Sequence, residues 1–269
     1  MEDNASSPLT PARALVQQFR ALGQVHAPET VLPLVLERLG QRDAYTRCAS
    51  PIGPVYVAYN GLGLSTVLCA ASASEFVPTF QARFQRVLRE VATLPHALAA
   101  KWEQLWNRQT PPVLPVDWRG LTVFEQAVLQ KVREIPRGEM RPYAWVAREI
   151  GHPAAVRAVG TALRRNPVPL VIPCHRIGRS DGSLGQYVFG VAAKQAVLTA
   201  EGVEIDAVMH WAQAGVRYHG SATTQIYCYP TCRHARRITA RHRVPFASVA
   251  AAAAAGYRPC LVCRPALTS

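Results

Sequence analysis

Two closely spaced cysteine pairs near the end of the chain restrict its possible folds more than any other feature. Three residues separate Cys228 from Cys232 and two separate Cys260 from Cys263, with 27 residues between the pairs. Each pair can hold one side of a tetrahedral ion, and a segment of about 50 residues needs such a link because its own core is small. The four sulfurs therefore predict a zinc centre. Nearby histidines offer substitute ligands, namely His219, His234 and His242.

The chain start and the number of cysteines indicate a reducing compartment. Met1 to Asn4 is acidic and polar, unlike the basic and then apolar start of a secretory signal, and no run of 18 apolar residues exists. We therefore expect a cytoplasmic protein without membrane association. Seven cysteines is an odd number, and in a reducing compartment closely paired cysteines favour metal binding over disulfides.

The net charge indicates a polyanionic partner. The chain of 269 residues has a formal charge of +13, mainly from arginine, which suits bidentate contacts with phosphate. Many soluble proteins are basic without binding nucleic acid, so this alternative stays open on charge alone. The hydrophobic fraction of 49% is ordinary for a globular chain and allows two or three domains of this total length.

The first part of the chain predicts an extension over 1–40 and a small α/β domain over 41–112. The predicted elements are helices at Pro11–Ala21 and Val31–Leu39, a hairpin of Val55–Tyr59 and Leu62–Ala70, and helices at Glu75–Val91 and about 97–107. Asn60–Gly61 supplies the positive φ angles that the hairpin turn is expected to need.

A proline-rich stretch, Gln109–Pro115, marks a boundary, after which a mainly helical domain is predicted over 113–205. Thr122 and Glu125 fit a capping box at the start of its first helix. Two later helices are predicted at Tyr143–Ile150 and Ala154–Arg164. A short glycine-containing turn joins them, which is typical of a helix-turn-helix. The zinc-binding domain is predicted over 206–269.

The second of these two helices combines small residues with long cationic ones. Ala158 and Gly160 are among the small residues, whereas Arg157, Arg164 and Arg165 are long and charged. Small residues allow a helix to approach a nucleic-acid groove closely. Ordinary helix packing also favours alanine and glycine, so both interpretations stay open on composition.

The apolar run Val168–Pro173 predicts a strand that ends at a proline and then exposes Cys174, His175 and Arg176. The last two side chains can be positive, which favours the thiolate form of the cysteine. The alternative is an inert cysteine, because a cysteine on an apolar run usually serves as a small hydrophobe. Cys174 is thus a candidate nucleophile.

The region around Cys174 resembles the O6-alkylguanine-DNA alkyltransferase family, over about residues 45–205. The resemblance is carried by Ile135–Glu139, Tyr143, Arg157–Gly160, Asn166–Pro169, Pro173–Arg176, Gly185–Tyr187, Lys194 and Glu201–Gly202. It implies a ribonuclease-H-like α/β domain followed by a helical active-site domain with a helix-turn-helix. It also implies that the target nucleotide is flipped out of double-stranded DNA from the minor groove.

Displacement of guanine from an alkyl carbon needs an activated sulfur and donors for the departing base. His175 is the expected base for Cys174, acting through a water, and Glu201 is expected to orient the imidazole. The resemblance assigns the same roles. Cys174, His175 and Glu201 are called the relay. The resemblance adds Asn166, which would connect the relay to the preceding turn, and Tyr143, which would contact the extruded nucleotide.

The resemblance further implies a guanine pocket and a DNA-contacting surface. The pocket residues are Tyr143, Val171, Tyr187, Val188 and Phe189. The DNA-contacting residues are Arg157, Ala158, Gly160, Arg164, Arg165 and Arg176, with Arg157 filling the space of the flipped base. Phe189 is bulky where many members have glycine, so we expect a pocket that prefers methyl over large alkyl groups.

The zinc-binding part resembles Ada-type zinc domains over about 216–265. The resemblance is carried by Ile226–Cys228, Cys232–Arg233, Arg236–Arg237 and Gly256–Cys260. It implies that Cys228 is both a zinc ligand and the acceptor of a methyl group from a DNA methylphosphotriester, with Arg236 and Arg258 among the arginines that hold phosphates. Zinc keeps such a sulfur as thiolate. A purely structural zinc site is the alternative.

Together these features predict a monomeric suicide DNA repair protein that contains Zn²⁺. Its partner would be double-stranded DNA carrying O6-alkylguanine or methylphosphotriesters, and each acceptor would act once because a thioether is not readily reversed. The alternative is a zinc-containing damage-binding or regulatory protein without methyl transfer at the zinc site. The combination of Cys174, His175 and Glu201 favours the repair protein.

Overall fold

A computed structural model describes residues 35–36, 38–107 and 112–265 of the chain. The predicted helix at Pro11–Ala21 and most of the one at Val31–Leu39 lie outside the described residues. Within the described ranges, no helix is long and apolar enough to cross a membrane.

The first domain is built on a four-stranded sheet with two helices. The strands are β1 (Arg42–Cys48), β2 (Val55–Asn60), β3 (Gly63–Leu68) and β4 (Val87–Glu90), and the helices are α1 (Ala73–Phe84) and α2 (His96–Asn107). The sheet order is β3-β2-β1-β4, with β4 parallel to β1 and the other neighbours antiparallel. The predicted hairpin and the helix predicted at about 97–107 are thereby confirmed.

The turn of this hairpin differs from the prediction. The positive φ angle lies at Gly63 (135°), whereas Asn60 and Gly61 have negative ones. The Asn60 side chain is buried, and its Nδ2 donates to Asp43 Oδ1 and Asp117 Oδ2, each at 2.9 Å. Asn60 therefore belongs to a buried polar cluster, whose hydrogen bonds hold it in the strand.

The helix predicted at Glu75–Val91 is wrong in its second half. Helix α1 ends at Phe84, and the next residue, Gln85, has a left-handed φ of 52°. Val87–Glu90 then pairs with β1 as strand β4. A run this short is compatible with the periodicity of a helix and with that of a strand. Strand β2 occupies only one edge of β1, and pairing with the other edge makes this segment a strand.

The middle of the chain is mainly helical. Its helices are α3 (Val123–Arg133), α4 (Tyr143–Glu149), α5 (Val156–Arg164), α6 (Val191–Ala200) and α7 (Ile205–Gln213), and the strands β5 (Arg141–Pro142) and β6 (Ile177–Gly178) pair in parallel. The predicted capping box is confirmed, because Thr122 and Glu125 each bond the other's backbone N–H. Helices α4 and α5 pack on each other and on α3.

The strand predicted at Val168–Pro173 is also wrong. The segment is a compact loop in which Leu170 has a left-handed φ of 75°, followed by a 3-10 turn over Cys174–Arg176. Prolines at 167, 169 and 173 lack the N–H that a strand ladder needs, so the apolar residues are buried as a loop. The side chains of the 3-10 turn are buried, not exposed.

The last part of the described chain forms a second four-stranded sheet. Its elements are β7 (Tyr218–Ser221), β8 (Ile226–Cys228), β9 (Arg243–Phe246), α8 (Val249–Ala254) and β10 (Arg258–Pro259). The strand order is β10-β8-β7-β9. One continuous apolar core joins this sheet to the rest, since it includes Val128 of α3, Trp145 of α4 and the four paired cysteines.

Candidate alkyl-transfer site and metal centre

Cys174 lies at the start of the 3-10 turn with only 7% of its surface exposed. Its Sγ accepts a hydrogen bond from Asn166 Nδ2 at 3.2 Å. The same amide donates to the carbonyl of Ile172 at 3.0 Å and accepts from the N–H of Val168 at 3.0 Å. Asn166 thus holds both ends of the loop before the cysteine and offers the sulfur a donor, as the predicted link between relay and turn requires.

His175 and Glu201 form the predicted pair. His175 is fully buried, and its Nε2 lies 3.1 Å from Glu201 Oε1. Glu201 follows helix α6, so the pair joins the 3-10 turn to the end of that helix. His175 Nδ1 is buried without a protein partner in the described part of the chain, which leaves this nitrogen available to accept a proton.

Arg176 belongs to this relay and not to a DNA surface. It is 6% exposed, and its guanidinium contacts both carboxylate oxygens of Glu201, at 2.6 Å from Nη2 to Oε1 and 3.0 Å from Nε to Oε2. Nη1 donates to the carbonyl of Ile135 at 2.6 Å. The prediction of Arg176 as a DNA contact is therefore wrong, because its charge is already paired inside the protein.

The surroundings of Cys174 keep its thiol protonated. Burial raises the pKa of Cys174 to about 11, while the Asn166 hydrogen bond and the charge of Lys194 oppose this shift. Burial also lowers the pKa of His175 below its usual 6.5, although Glu201 opposes that change. A neutral His175 and a paired Arg176 cannot favour the thiolate in the way that the sequence suggested. A base must instead remove the proton, and neutral His175 can do so.

Glu201 supplies the negative charge of the relay. Burial alone would raise the pKa of its carboxyl group, but His175 and Arg176 lower it far below the usual range. A carboxylate of this kind stays ionised and stabilises the imidazolium that forms when His175 accepts a proton.

Lys194 is a buried cation to which the sequence assigned no role. Its Nζ donates to the carbonyls of Ile177 and Leu184, which lie before and within the loop that leads to Tyr187. Burial lowers the pKa of Lys194 to about 8, and the proximity of Cys174 opposes the shift. The sequence signal for this buried cation is a lysine on the same helix face as the buried Val197 and Leu198.

Four of the predicted pocket residues, Tyr143, Val171, Tyr187 and Phe189, pack in the same apolar core as Cys174. Tyr143 begins helix α4, and the Tyr187 ring meets the His175 ring edge-on with centroids 6.0 Å apart. Phe189 packs edge-on against Tyr187 at 5.5 Å, and Val188 is 47% exposed beside it. Val171 is buried in the loop before the cysteine. The described contacts therefore connect Phe189 to Tyr187 and Tyr187 to His175, next to Cys174.

The remaining predicted DNA contacts lie on the surface. Exposed residues among them are Arg157, Ala158, Arg164, Arg165, Arg236 and Arg258, and Gly160 is half-buried. Arg165 also pairs with Glu125 at 3.1 Å. A Cβ atom on Gly160 would lie 3.9 Å from the Tyr143 ring, so the small residues of α5 serve close packing on α4 as well.

The four paired cysteines form one buried cluster. Their Sγ atoms, from Cys228, Cys232, Cys260 and Cys263, all lie within 4.8 Å of one another. Tetrahedral zinc with Zn–S bonds of about 2.3 Å requires sulfurs about 3.8 Å apart, so the cluster fits this ion. The predicted zinc centre is confirmed. The histidines are not ligands in this cluster: His219 packs edge-on against Trp211 at 4.5 Å, and His234 and His242 line an adjacent cavity.

That cavity lies beside the acceptor candidate of the zinc centre. It has a volume of about 560 Å³ and is lined by Cys228 and Cys260 together with Arg237, His234 and Arg258. Cys228 is 2% exposed and lines this cavity. Arg236, in contrast, lines a different cavity, next to Gly138 and Glu204.

Known proteins share both regions. Residues 123–203 match the family described as 6-O-methylguanine DNA methyltransferase, DNA binding domain, and residues 211–266 match the metal binding domain of Ada. The bifunctional transcriptional activator/DNA repair enzyme Ada of Escherichia coli K12 is 37% identical over 177 residues, which cover 61% of this chain and 46% of Ada. The chain therefore spans less than half of that relative.

Some shorter relatives are matched over almost their whole length. The methylated-DNA–protein-cysteine methyltransferase of Methanosarcina acetivorans is 33% identical over 159 residues, which are 59% of this chain and 97% of that protein. A crystal structure of a Mycobacterium tuberculosis O6-methylguanine methyltransferase variant superposes with a TM-score of 0.50 at 30% identity, covering 59% of this chain and 92% of the other. The chain belongs to the methylated-DNA–protein-cysteine methyltransferase family.

Proposed function

We propose that this protein is a single-turnover DNA repair enzyme that transfers the alkyl group of O6-alkylguanine in double-stranded DNA to Cys174. One set of hydrogen bonds carries the proposal. Asn166 Nδ2 donates to Cys174 Sγ at 3.2 Å, and in the next residue, His175, Nε2 lies 3.1 Å from Glu201 Oε1. A buried thiol with a donor and a paired base is arranged for nucleophilic attack.

The proton and the electron pair have defined destinations in this reaction. The Cys174 proton passes to His175, and Glu201 stabilises the imidazolium. The sulfur then forms a bond to the alkyl carbon while the bond from that carbon to guanine O6 breaks and its electrons remain on the base. Tyr143, at the start of α4, donates a hydrogen bond to the departing guanine, which regains a proton from the relay.

The surface around the site supports a DNA partner. Helices α4 and α5 form a helix-turn-helix, and the exposed Arg157 and Arg164 on α5 can contact phosphate or fill the space of a flipped base. Arg165 follows α5 at the same surface and also pairs with Glu125. We assign the first domain, 41–112, to the ribonuclease-H-like class and 113–205 to the active-site domain. A monomer in the cytoplasm fits the reduced cysteines and the reaction.

We further propose that Cys228 accepts a methyl group from a DNA methylphosphotriester. When bound, zinc keeps the cysteine sulfurs as thiolates and so supplies a nucleophile without a base. Cys228 is the first ligand of the 206–269 domain and lines the open cavity, where Arg237 and Arg258 can hold flanking phosphates. Arg236 lies at another cavity and therefore takes no part in this contact.

Duplex DNA carrying either O6-methylguanine or a methylphosphotriester tests both proposals. After incubation, mass mapping of peptides should find a methyl group on Cys174 with the first DNA and on Cys228 with the second. Cys174→Ala should remove only the first signal, and exposed Cys69 should stay unmodified in both. No methyl group on Cys174 would contradict the main proposal, and none on Cys228 would leave the zinc centre purely structural.

A further inference from the structure

The zinc domain packs directly on the segment that precedes helix α4. The backbone N–H of Met140 donates to Thr231 Oγ1 at 2.8 Å, and the backbone N–H of Arg233 donates to Glu139 Oε1 at 3.0 Å. Thr231 and Arg233 flank the zinc ligand Cys232 on both sides. The first cysteine pair is thus attached to residues 139 and 140 of the neighbouring domain.

The second cysteine pair is attached to helix α4 itself. Trp145 Nε1 donates to the carbonyl oxygen of the ligand Cys263 at 3.0 Å, within a buried environment. One residue further on, the carbonyl of Arg264 accepts from Arg148 at 2.6 Å, and its guanidinium pairs with Glu149 at 2.6 Å. Tyr143, the proposed contact of the flipped base, begins the same helix.

The other end of this segment touches the relay. The backbone N–H of Gly138 donates to Glu201 Oε2 at 3.3 Å. Gly138 has a φ of 72°, and a Cβ atom there would lie 2.8 Å from the carbonyl oxygen of Glu201, so only glycine permits this approach. Only one residue, Glu139, therefore lies between the amide that bonds the relay and the amide that bonds Thr231.

The short segment between them is rigid because its charges are buried and paired. Glu139 and Arg141 are 1% and 3% exposed and form an ion pair. The Arg141 guanidinium lies over the rings of Trp145, at 5.8 Å, and Tyr229, at 5.4 Å. Movement of the zinc domain away from this pair would expose or strand buried charge, which is costly.

We infer that the zinc domain is part of the frame of the alkyl-transfer site, with Thr231 and Trp145 as positioning residues. They hold residues 138–145 so that Glu201 keeps its orientation toward His175 and Tyr143 keeps its place at the base pocket. The inference rests on the proposed reaction at Cys174 and is independent of whether Cys228 accepts a methyl group. Because coupling between two sites is reciprocal, the alkyl-transfer domain also stabilises the metal centre.

A pair of substitutions at Thr231 tests the path from the zinc domain to the relay. Thr231→Val removes the hydroxyl and Thr231→Ser keeps it, in zinc-loaded full-length protein. Amide hydrogen exchange should accelerate at both Met140 and Gly138 in the valine variant, and methyl transfer to Cys174 at saturating DNA should slow about fivefold. Serine should restore both. Accelerated exchange at Met140 alone, with unchanged transfer, overturns the inference.

A matched pair of tryptophan substitutions tests the reverse direction. Trp145→Phe removes the donor to the Cys263 carbonyl, whereas the control Trp106→Phe removes an indole N–H that has no partner within the described residues. Release of zinc to a chelator should be about tenfold faster in Trp145→Phe and unchanged in the control. Equal release rates in both variants would refute the coupling.

The two readouts separate this inference from the proposed function. If Cys174 never receives a methyl group, the proposed function fails, but amide exchange and zinc release still decide whether the domains are coupled. If methyl transfer occurs and neither Thr231→Val nor Trp145→Phe alters exchange at Gly138, the zinc domain is attached without positioning the relay, and the inference fails alone.

Discussion

Cys174 and Cys228 are both almost inaccessible to solvent, at 7% and 2% exposure, but their surroundings are opposite. Cys174 lies beside a neutral amide and a neutral imidazole, so burial raises its pKa to about 11 and the thiol keeps its proton. Cys228 lies among three other sulfurs that bind zinc, which holds all four as thiolates. In the proposed reactions, the same burial penalty is overcome by a proton relay at Cys174 and by zinc at Cys228.

Removal of zinc should have the largest effect, and it should act first on Cys228 and its domain. Chelation is expected to abolish methyl transfer to Cys228 and to unfold residues 218–265, because zinc binding to such sites contributes on the order of 10 kcal/mol. Circular dichroism and mass mapping measure the two effects, and zinc added back should restore both. A zinc-free protein that keeps this sheet folded would contradict the prediction.

Removal of the relay carboxylate, Glu201, should affect Cys174 and leave Cys228 nearly unchanged. Glu201→Gln is expected to slow methyl transfer to Cys174 by roughly 100-fold, because the imidazolium loses its counter-charge. Transfer to Cys228 should change little. Glu204→Gln, at an exposed glutamate three residues away, is the matched control and should behave as wild type in single-turnover assays.

Rates equal to wild type in Glu201→Gln would mean that His175 needs no partner. An equal loss at both acceptors would point to damage of the whole fold, which thermal unfolding of the variant would reveal.

The two acceptors should also differ in their dependence on pH. The pKa of His175 lies below 6.5, so the imidazole is neutral at pH 7 and can accept the Cys174 proton. As pH falls through that pKa, His175 becomes protonated and transfer to Cys174 should decline by about tenfold per pH unit. Zinc-bound Cys228 needs no base and should keep its rate between about pH 6 and 8. Parallel profiles in single-turnover assays would contradict this difference.

The smallest expected effect concerns Phe189, which packs against Tyr187 next to His175. Free benzylguanine should react more slowly than methylguanine in DNA, and Phe189→Ala should raise the benzyl rate by about tenfold because the aromatic ring next to Tyr187 is removed. The methyl rate should stay within about twofold. Equal rates for both substrates in the wild type would show that Phe189 does not restrict the pocket.

Local sequence patterns predicted the elements whose partners are near in the chain. The hairpin, the capping box at Thr122 and the cysteine cluster all follow from spacing over a few residues or from the chemistry of paired sulfurs. The resemblance additionally identified Asn166 and Glu201, which the structure places within hydrogen-bond distance of Cys174 and His175.

The predictions that fail depend on distant partners. Val87–Glu90 becomes a strand because the edge of β1 is free, and Arg176 is buried because Glu201, 25 residues later, claims its charge. Trp145 and Cys263 are 118 residues apart, and no pattern near either residue indicates their contact. Tertiary packing decides such positions, and a sequence pattern does not contain it.

The attachment of the zinc domain to residues 139–149 has a consequence for protein synthesis. A ribosome makes this segment well before residues 218–265, so the nascent chain carries Glu139, Arg141 and the Trp145 indole uncovered until the later sheet is complete and metal is available. In a zinc-starved cell, chains would linger in that unfinished form, displaying surface that chaperones and proteases recognise. Metal supply would then set how much repair protein survives, before any lesion is met.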